Sequence, residues 1–218
     1  MDKIVEGIRR FRREIYPDLK PLYDEMVRSG QKPHALIIGC SDSRIAFETM
    51  TGCGPGELFI VRNAGNIIPP YGKQFGGVTA SIEFAVTALP IRDVIVCGHT
   101  HCGAMAALLK PEISSDMQAV QKWVGFARQA KRRIGKEHTH EFDSHLREAV
   151  AENVKLQLEH LATYPCIEQK LKSGQIRLHG WVYEIENGDV LEYNEPDQRW
   201  LSLTEPNQAA GDQPQPSE

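Results

Sequence analysis

The feature that most constrains the fold of this chain is a pair of short aliphatic runs, at 35–39 (ALIIG) and 93–97 (DVIVC). Neither run alternates with polar residues, which is typical of strands buried on both faces of a mostly parallel sheet. Amphipathic helical patterns at 76–89, 116–134 and 143–163 separate or follow these runs. The sequence therefore predicts an α/β fold with a small, mostly parallel β-sheet flanked by helices.

Further strands are predicted at 58–61, at 176–185 and at 190–193. The last two are separated by Asn187-Gly188, the dipeptide that most favours a tight hairpin turn. We therefore expect the parallel sheet to end in an antiparallel pair.

Residues 1–30 form a predicted N-terminal helical arm. Pro17 is expected to break its first helix, and Pro21 suits the first turn of a second. The arm must bury its apolar face either on its own sheet or across a subunit interface, and the pattern leaves both open. Spacings of three and four residues place four apolar side chains on one helix face: Ile4, Ile8, Phe11 and Ile15.

Length and composition predict a single domain over 1–204, followed by a polar tail over 205–218 that we expect to be disordered. The formal charge of −4 and the absence of a Lys/Arg block give no indication of a nucleic-acid partner. No apolar run is long enough for a membrane span, and the N-terminus does not resemble a signal peptide. Five cysteines without small-domain spacing favour a reducing compartment, so we expect a cytoplasmic protein.

Reactive side chains follow both aliphatic runs. Cys40 comes directly after the first run, and Asp42 and Arg44 lie just beyond it. His99 and Cys102 follow the second run and are three residues apart. Because the carboxyl ends of neighbouring parallel strands meet at one edge of a sheet, these side chains are expected to share one space.

Two thiolates and one imidazole suit Zn²⁺ and leave its fourth tetrahedral position open. Taken singly, each cysteine, including Cys53 and Cys166, is more typical of an inert buried thiol. A structural zinc site normally closes with a fourth Cys or His, but no C-x-x-C pair occurs in this chain. The set therefore favours an open, catalytic site, or one that Asp42 closes reversibly.

The chain resembles the β-class carbonic anhydrases of the plant-like and bacterial branch over about residues 3–195. Five motifs lie in the order typical of that family: 40–44 (CSDSR), 62–66 (RNAGN), 76–83 (GGVTASIE), 98–103 (GHTHCG) and 179–183 (HGWVY).

This resemblance implies one Zn²⁺ per chain on Cys40, His99 and Cys102, with Asp42 and Arg44 as a paired dyad. It also implies reversible hydration of carbon dioxide to bicarbonate and a proton, by zinc-bound hydroxide that the dyad orients. A homodimer or higher homo-oligomer is expected, with the N-terminal arm packed on the partner.

The family pattern also implies a narrow substrate pocket and separates open sites from sites that Asp42 can close. Gln31 and the presence of Ile37, where switchable relatives have Trp, indicate an open site.

Two departures from the family pattern concern proton transfer. Phe84 replaces a frequent Tyr, and Ala88 replaces a His that could relay protons. His101 is an alternative relay, although an ordinary exposed histidine is the better interpretation. The pocket residues that the family implies are Gln31, Phe59, Ala64, Phe84 and Gly103.

Two alternatives remain at the level of sequence. A related hydrolase on the same scaffold, such as a carbon disulfide hydrolase, would use the same zinc ligands. A non-catalytic zinc-binding or assembly protein would also fit them. The intact pair of Asp42 and Arg44 argues against the second alternative, because a structural metal site requires neither residue.

Overall fold

A computed structural model gives the structure of the protein and describes residues 1–134 and 141–205. Six strands form one sheet in the order β2-β1-β3-β4-β5-β6. The strands are β1 (Ala35–Cys40), β2 (Leu58–Asn63), β3 (Asp93–His99), β4 (Arg177–Tyr183), β5 (Val190–Asn194) and β6 (Arg199–Ser202).

Nine α-helices occur in the described residues, and those after the N-terminal arm flank the sheet. The nine helices are α1 (Asp2–Arg10), α2 (Tyr16–Ser29), α3 (Phe47–Thr51), α4 (Gly77–Ala88), α5 (Gly103–Leu109), α6 (Gln118–Val124), α7 (Arg128–Arg133), α8 (Phe142–Ala162) and α9 (Pro165–Lys172). None of these described helices is long and apolar enough to cross a bilayer. The predicted α/β fold is confirmed.

Strands β2, β1, β3 and β4 are parallel, whereas β5 and β6 continue the sheet in antiparallel fashion. Every residue of β1 is buried, as the unbroken aliphatic run predicted. Gly39 of β1 pairs with Cys97 of β3, so the two carboxyl ends lie side by side. This register brings the two predicted ligand segments to one edge of the sheet.

Helix α8 packs closely on β3 and β4 because both strands carry a glycine beneath it. A Cβ atom on Gly98 would lie 2.8 Å from Val154, and one on Gly180 would lie 2.9 Å from Leu158. Helix α8 covers one face of β3 and β4 and contributes Leu156 and Leu161 to the core.

The N-terminal arm differs from the prediction in two respects. The helical path does not break at Pro17 but continues through a π-helical turn, Phe11–Ile15, into α2. Pro17 lies in the first turn of α2, directly after this π-helical turn. Pro21 lies inside α2 and not in its first turn.

Neither α1 nor α2 has a buried residue, so the arm does not bury its apolar face on its own sheet. The exposed apolar side chains include Ile4, Ile8, Phe11 and Ile15.

The helix predicted at 116–134 is instead two helices, α6 and α7, joined by a 3₁₀ turn, Gly125–Ala127. Helices α3 and α9 and strand β6 were not predicted. The predicted polar tail lies outside the described residues except for Glu205.

Candidate metal centre

Three ligand side chains converge where β1 and β3 end. One ligand atom from each of Cys40, His99 and Cys102 lies within 4.8 Å of the others, and all three residues are buried. Cys40 ends β1, His99 ends β3, and Cys102 is the residue before α5. The parallel register of β1 and β3 is therefore what brings residues distant in sequence into one site.

The imidazole of His99 is oriented for metal binding. Its Nδ1 is 2.8 Å from the carbonyl oxygen of Thr100, an acceptor that fixes the proton on Nδ1. Its Nε2 is fully buried and has no hydrogen-bond partner among the described residues. A buried nitrogen without a partner is costly unless something fills its lone pair, and a metal ion does so. This atom, together with the two sulfurs, fits Zn²⁺.

The two thiols of the site lie side by side, and each shifts the pKa of the other. The pKa of Cys40 falls to about 4, first because Cys102 donates a hydrogen bond to it. His99 and the amide of Gly65, 3.3 Å from the sulfur of Cys40, lower it further. The same pairing raises the pKa of Cys102. By contrast, burial raises the pKa of Cys97 to about 12, which agrees with its predicted role as a core thiol.

Asp42 and Arg44 form a bidentate ion pair beside these ligands. Arg44 Nε is 2.9 Å from Oδ1 of Asp42, and Nη2 is 2.8 Å from Oδ2. This hydrogen bonding holds the pKa of Asp42 well below its usual range, so the carboxylate is ionised. Oδ2 of Asp42 lies 3.9 Å from Nε2 of His99, at the edge of the ligand cluster. The guanidinium also donates to the carbonyl oxygen of His101 at 3.1 Å.

Arg62 supports the segment that carries Asp42, a role that the sequence analysis missed. Its guanidinium donates to the carbonyl oxygens of Cys40, Asp42 and Ile45, at 3.0, 2.8 and 2.9 Å. It also lies over the ring of Phe47, 5.4 Å from the centroid. The motif 62–66 (RNAGN) marks this arginine but does not reveal its role, because its acceptors are backbone carbonyls about twenty residues away in the chain.

The five predicted pocket residues fall into two groups. Ala64 and Gly103 lie at the metal centre, next in sequence to Gly65 and Cys102 respectively. Ala64 is fixed there because its carbonyl accepts a hydrogen bond from the indole of Trp123 at 2.8 Å.

The other three pocket residues lie elsewhere. Phe59 pairs with Leu36, four residues before Cys40 along the sheet, or about 13 Å. Phe84 packs against Phe59, with 6.1 Å between ring centroids, and is half exposed. Gln31 is exposed and precedes β1, at its opposite end. Within one chain these three side chains are separated from the metal centre.

Comparison with known proteins agrees with this geometry. A model of the carbonic anhydrase family matches residues 35–190. A carbonic anhydrase from Synechococcus elongatus is 45% identical over 194 residues, covering 88% of this chain and 71% of the relative. One from Pseudomonas aeruginosa is 43% identical over 206 residues, covering 94% and 93% respectively.

Solved structures show the same likeness. The structure of the β-carbonic anhydrase CcaA has a TM-score of 0.89 and 40% identity, and the match covers 93% of this chain and 98% of that one. A Coccomyxa β-carbonic anhydrase in complex with acetazolamide has a TM-score of 0.74 and 28% identity over 86% of this chain and 83% of that one. The resemblance found in the sequence motifs is confirmed: this chain is an enzyme of the carbonic anhydrase family, with the fold of its β-class.

Proposed function

We propose that this chain catalyses the reversible hydration of carbon dioxide to bicarbonate and a proton. In this proposal Cys40, His99 and Cys102 hold one Zn²⁺, and Asp42 and Arg44 act as the catalytic dyad. The observation that carries the proposal is the buried, unpartnered Nε2 of His99, which faces two thiols beside an ionised carboxylate. A purely structural metal site would have no use for that carboxylate.

Zn²⁺ bound to these ligands would supply Lewis-acid chemistry, which can lower the pKa of a water molecule from 15.7 to about 7. The chain's own residues then orient the reaction. Asp42 can accept a hydrogen bond from the attacking oxygen and so aim its lone pair at the carbon of carbon dioxide. Arg44 keeps the carboxylate of Asp42 ionised and fixed by two hydrogen bonds.

We further propose that the site stays open over the working pH range. Arg44 already occupies both carboxylate oxygens of Asp42, which disfavours rotation of that group toward the ligands. Ile37, at the position where switchable relatives have Trp, is fully buried in β1, and its side chain has no hydrogen-bond donor.

We also propose a cytoplasmic location. All five cysteines are free thiols, which suits a reducing compartment.

The separation of the pocket residues supports a homodimeric enzyme. Gln31, Phe59 and Phe84 are far from the metal centre of their own chain, so we propose that they line the pocket of a partner subunit. Ala64 and Gly103 would then contribute from the chain that holds the metal. The exposed apolar face of the arm provides surface for such an interface. A higher assembly is also compatible, and one structural relative is described as tetrameric.

The test is stopped-flow hydration of carbon dioxide by the zinc-loaded protein between pH 6.5 and 9. We expect activity that rises smoothly with a single apparent pKa, as an open site requires. We expect Arg44→Ala to reduce kcat by about 10²-fold or more while zinc stoichiometry stays at one per chain, because the loss is of orientation and not of ligands.

Other results would redirect the assignment. An absence of hydration activity below about pH 8, followed by a steep rise in activity at higher pH, would mean that Asp42 closes the site. No activity at any pH with zinc bound would rule out the anhydrase and favour the alternative substrate or the non-catalytic protein.

A further inference from the structure

Two successive backbone carbonyls hold the two halves of the proposed active site. The carbonyl of Thr100 accepts the hydrogen bond from Nδ1 of His99, at 2.8 Å. The carbonyl of His101 accepts a hydrogen bond from Nη2 of Arg44, at 3.1 Å. The dipeptide Thr100-His101 therefore orients a metal ligand with one oxygen and the arginine of the dyad with the next.

This dipeptide needs support from outside its own segment. His101 has a φ of +56°, in the left-handed region that residues with a Cβ atom rarely adopt. Such a conformation is strained for a residue with a side chain and persists only where surrounding contacts fix it. The direction of the His101 carbonyl toward Arg44 depends on this backbone conformation.

The carboxylate of Glu186, in the turn after β4, contacts both residues of the dipeptide. Its Oε2 accepts a hydrogen bond from the hydroxyl of Thr100, and its Oε1 lies 3.3 Å from Nε2 of His101. Arg147 of α8 donates to Oε1 of Glu186 from the other side. The hydrogen bond from Thr100 is the main reason that the pKa of Glu186 falls to about 2, so the group is an anion at neutral pH.

Thr100 is also fixed by the end of β4. Its amide donates to the carbonyl of Tyr183 at 3.0 Å, and its hydroxyl oxygen accepts from the amide of Ile185 at 3.0 Å. The hydroxyl of Thr100 therefore donates one hydrogen bond, to Glu186, and accepts one, from Ile185. Thr100 is 2% exposed, so no solvent molecule is needed to complete this arrangement.

We propose that Glu186 is a positioning residue that holds the Thr100-His101 dipeptide, and through its two carbonyls both His99 and Arg44. This inference rests on the proposed function for its effect on turnover, but its effect on metal binding stands independently. Removing residues that orient a metal-binding histidine typically costs about 10- to 100-fold in metal affinity or activity.

The test compares Glu186→Ala with Glu184→Ala. Glu184 is the matched control because it also pairs with Arg147, at 3.0 Å, and its loss changes the charge equally. Within the described part of the chain, the other side-chain partner of Glu184 is Asn187, and no hydrogen bond or ion pair of this side chain reaches the dipeptide. Thermal unfolding establishes that each variant is folded, and Glu186→Gln, which keeps the side-chain volume, replaces the alanine variant if that one fails to fold.

Zinc affinity is measured first, by competition with a chromophoric chelator. We expect Glu186→Ala to lose about 10- to 100-fold in zinc affinity and Glu184→Ala to stay within about twofold. This readout does not depend on the reaction that the enzyme catalyses. It therefore separates a failure of this inference from a failure of the proposed function.

Turnover is measured second, on fully zinc-loaded protein. We expect Glu186→Ala to lower kcat about tenfold or more with KM nearly unchanged, and this loss to shrink in an Arg44→Ala background. Wild-type zinc affinity and wild-type kcat in folded Glu186→Ala would overturn the inference. Equal losses in Glu184→Ala would also overturn it, because they would trace to the ion pairing of Arg147.

Discussion

At the scale of single residues, the contact between Gly39 and Phe47 ties the core to the metal centre. A Cβ atom on Gly39 would lie 2.1 Å from Cζ of Phe47, far inside van der Waals contact. Phe47 is itself fully buried and lies beneath the guanidinium of Arg62. Gly39, directly before Cys40, therefore leaves the space that the ring of Phe47 fills. The ring in turn packs against Arg62, whose guanidinium donates a hydrogen bond to the carbonyl oxygen of Asp42.

We accordingly expect Gly39→Ala to lower the free energy of unfolding by about 1–3 kcal/mol through overpacking. The measurement is urea unfolding at fixed protein concentration and zinc loading. Gly77→Ala is the control, because a Cβ atom there meets no atom within 4 Å. The cost of Gly39→Ala should shrink in a Phe47→Leu background, and an unchanged cost would show that the ring is not the cause.

The sequence predicted which side chains would share one space, because metal ligands and a charged pair are recognisable by type and spacing. Cys40, His99 and Cys102 converge as predicted. It did not identify Arg62 or Glu186, whose roles depend on tertiary contacts with backbone carbonyls and a hydroxyl. Supporting residues of this kind have no spacing rule, so only the fold reveals them.

At the scale of elements, a cross-strand cluster joins β3, β4 and β5 at the edge opposite the metal centre. Asp93 at the start of β3 pairs with Arg177 at 2.8 Å and with His179 at 3.0 Å. The other ring nitrogen of His179 lies 2.6 Å from Glu192 of β5. Burial raises the pKa of Asp93, but its hydrogen bonds to Arg177 and His179 outweigh that effect and lower it.

The sign of the resulting pH dependence follows from that lowered pKa. A carboxylate that is more acidic in the folded state stabilises the protein above its ordinary pKa of about 3.9. That stabilisation disappears as the pH falls through the lowered value. Asp93→Asn should therefore reduce the free energy of unfolding by about 1 kcal/mol at pH 7, and the difference from wild type should shrink below about pH 4.

Urea unfolding of both proteins at pH 7, 5 and 3.5 measures this difference. Asp197→Asn serves as a control, since the side chain of Asp197 forms an exposed pair with Arg199 at 3.3 Å. A difference that stays constant down to pH 3.5 would contradict the assignment of Asp93 as the responsible group.

Sequence patterns predicted the buried parallel strands better than the peripheral elements. Strands β1 and β3 have aliphatic runs that few other environments accept. Strand β6 is only four residues long and half exposed, so its pattern is too weak to separate from a loop. Helices α6 and α7 share a periodic pattern that runs across the turn at Gly125, and only packing shows that turn.

At the scale of the whole molecule, the N-terminal arm carries an apolar face that its own chain leaves uncovered. Ile4 and Ile8 are 64% and 62% exposed, and Phe11 and Ile15 are also exposed. An aligned apolar stripe of this kind on a soluble helix is typical of an interface.

We therefore expect Ile8→Asp to weaken dimerisation, because it removes an apolar contact worth about 1.5–3 kcal/mol, or about ten- to a hundredfold in Kd. Light scattering coupled to size exclusion, across a dilution series, measures the change. Lys3→Asp is the control, because it adds negative charge to the same helix without touching the apolar face. Equal behaviour of the two variants would place the interface elsewhere.

The metal centre also joins parts of the chain that are made at different times. Asp42 and its neighbours follow β1, whereas His101 follows β3, and the contact from Arg44 to His101 spans 57 residues. During synthesis Cys40 emerges well before its fellow ligands, so the centre can close only after β3 has paired with β1. A metal ion held by these ligands would bind the folded chain and not the unfolded one, so it would stabilise the long loop between them in its closed form. In the proposed zinc enzyme, the supply of metal in the cell would therefore affect how long a folded copy survives, as well as how many copies are active.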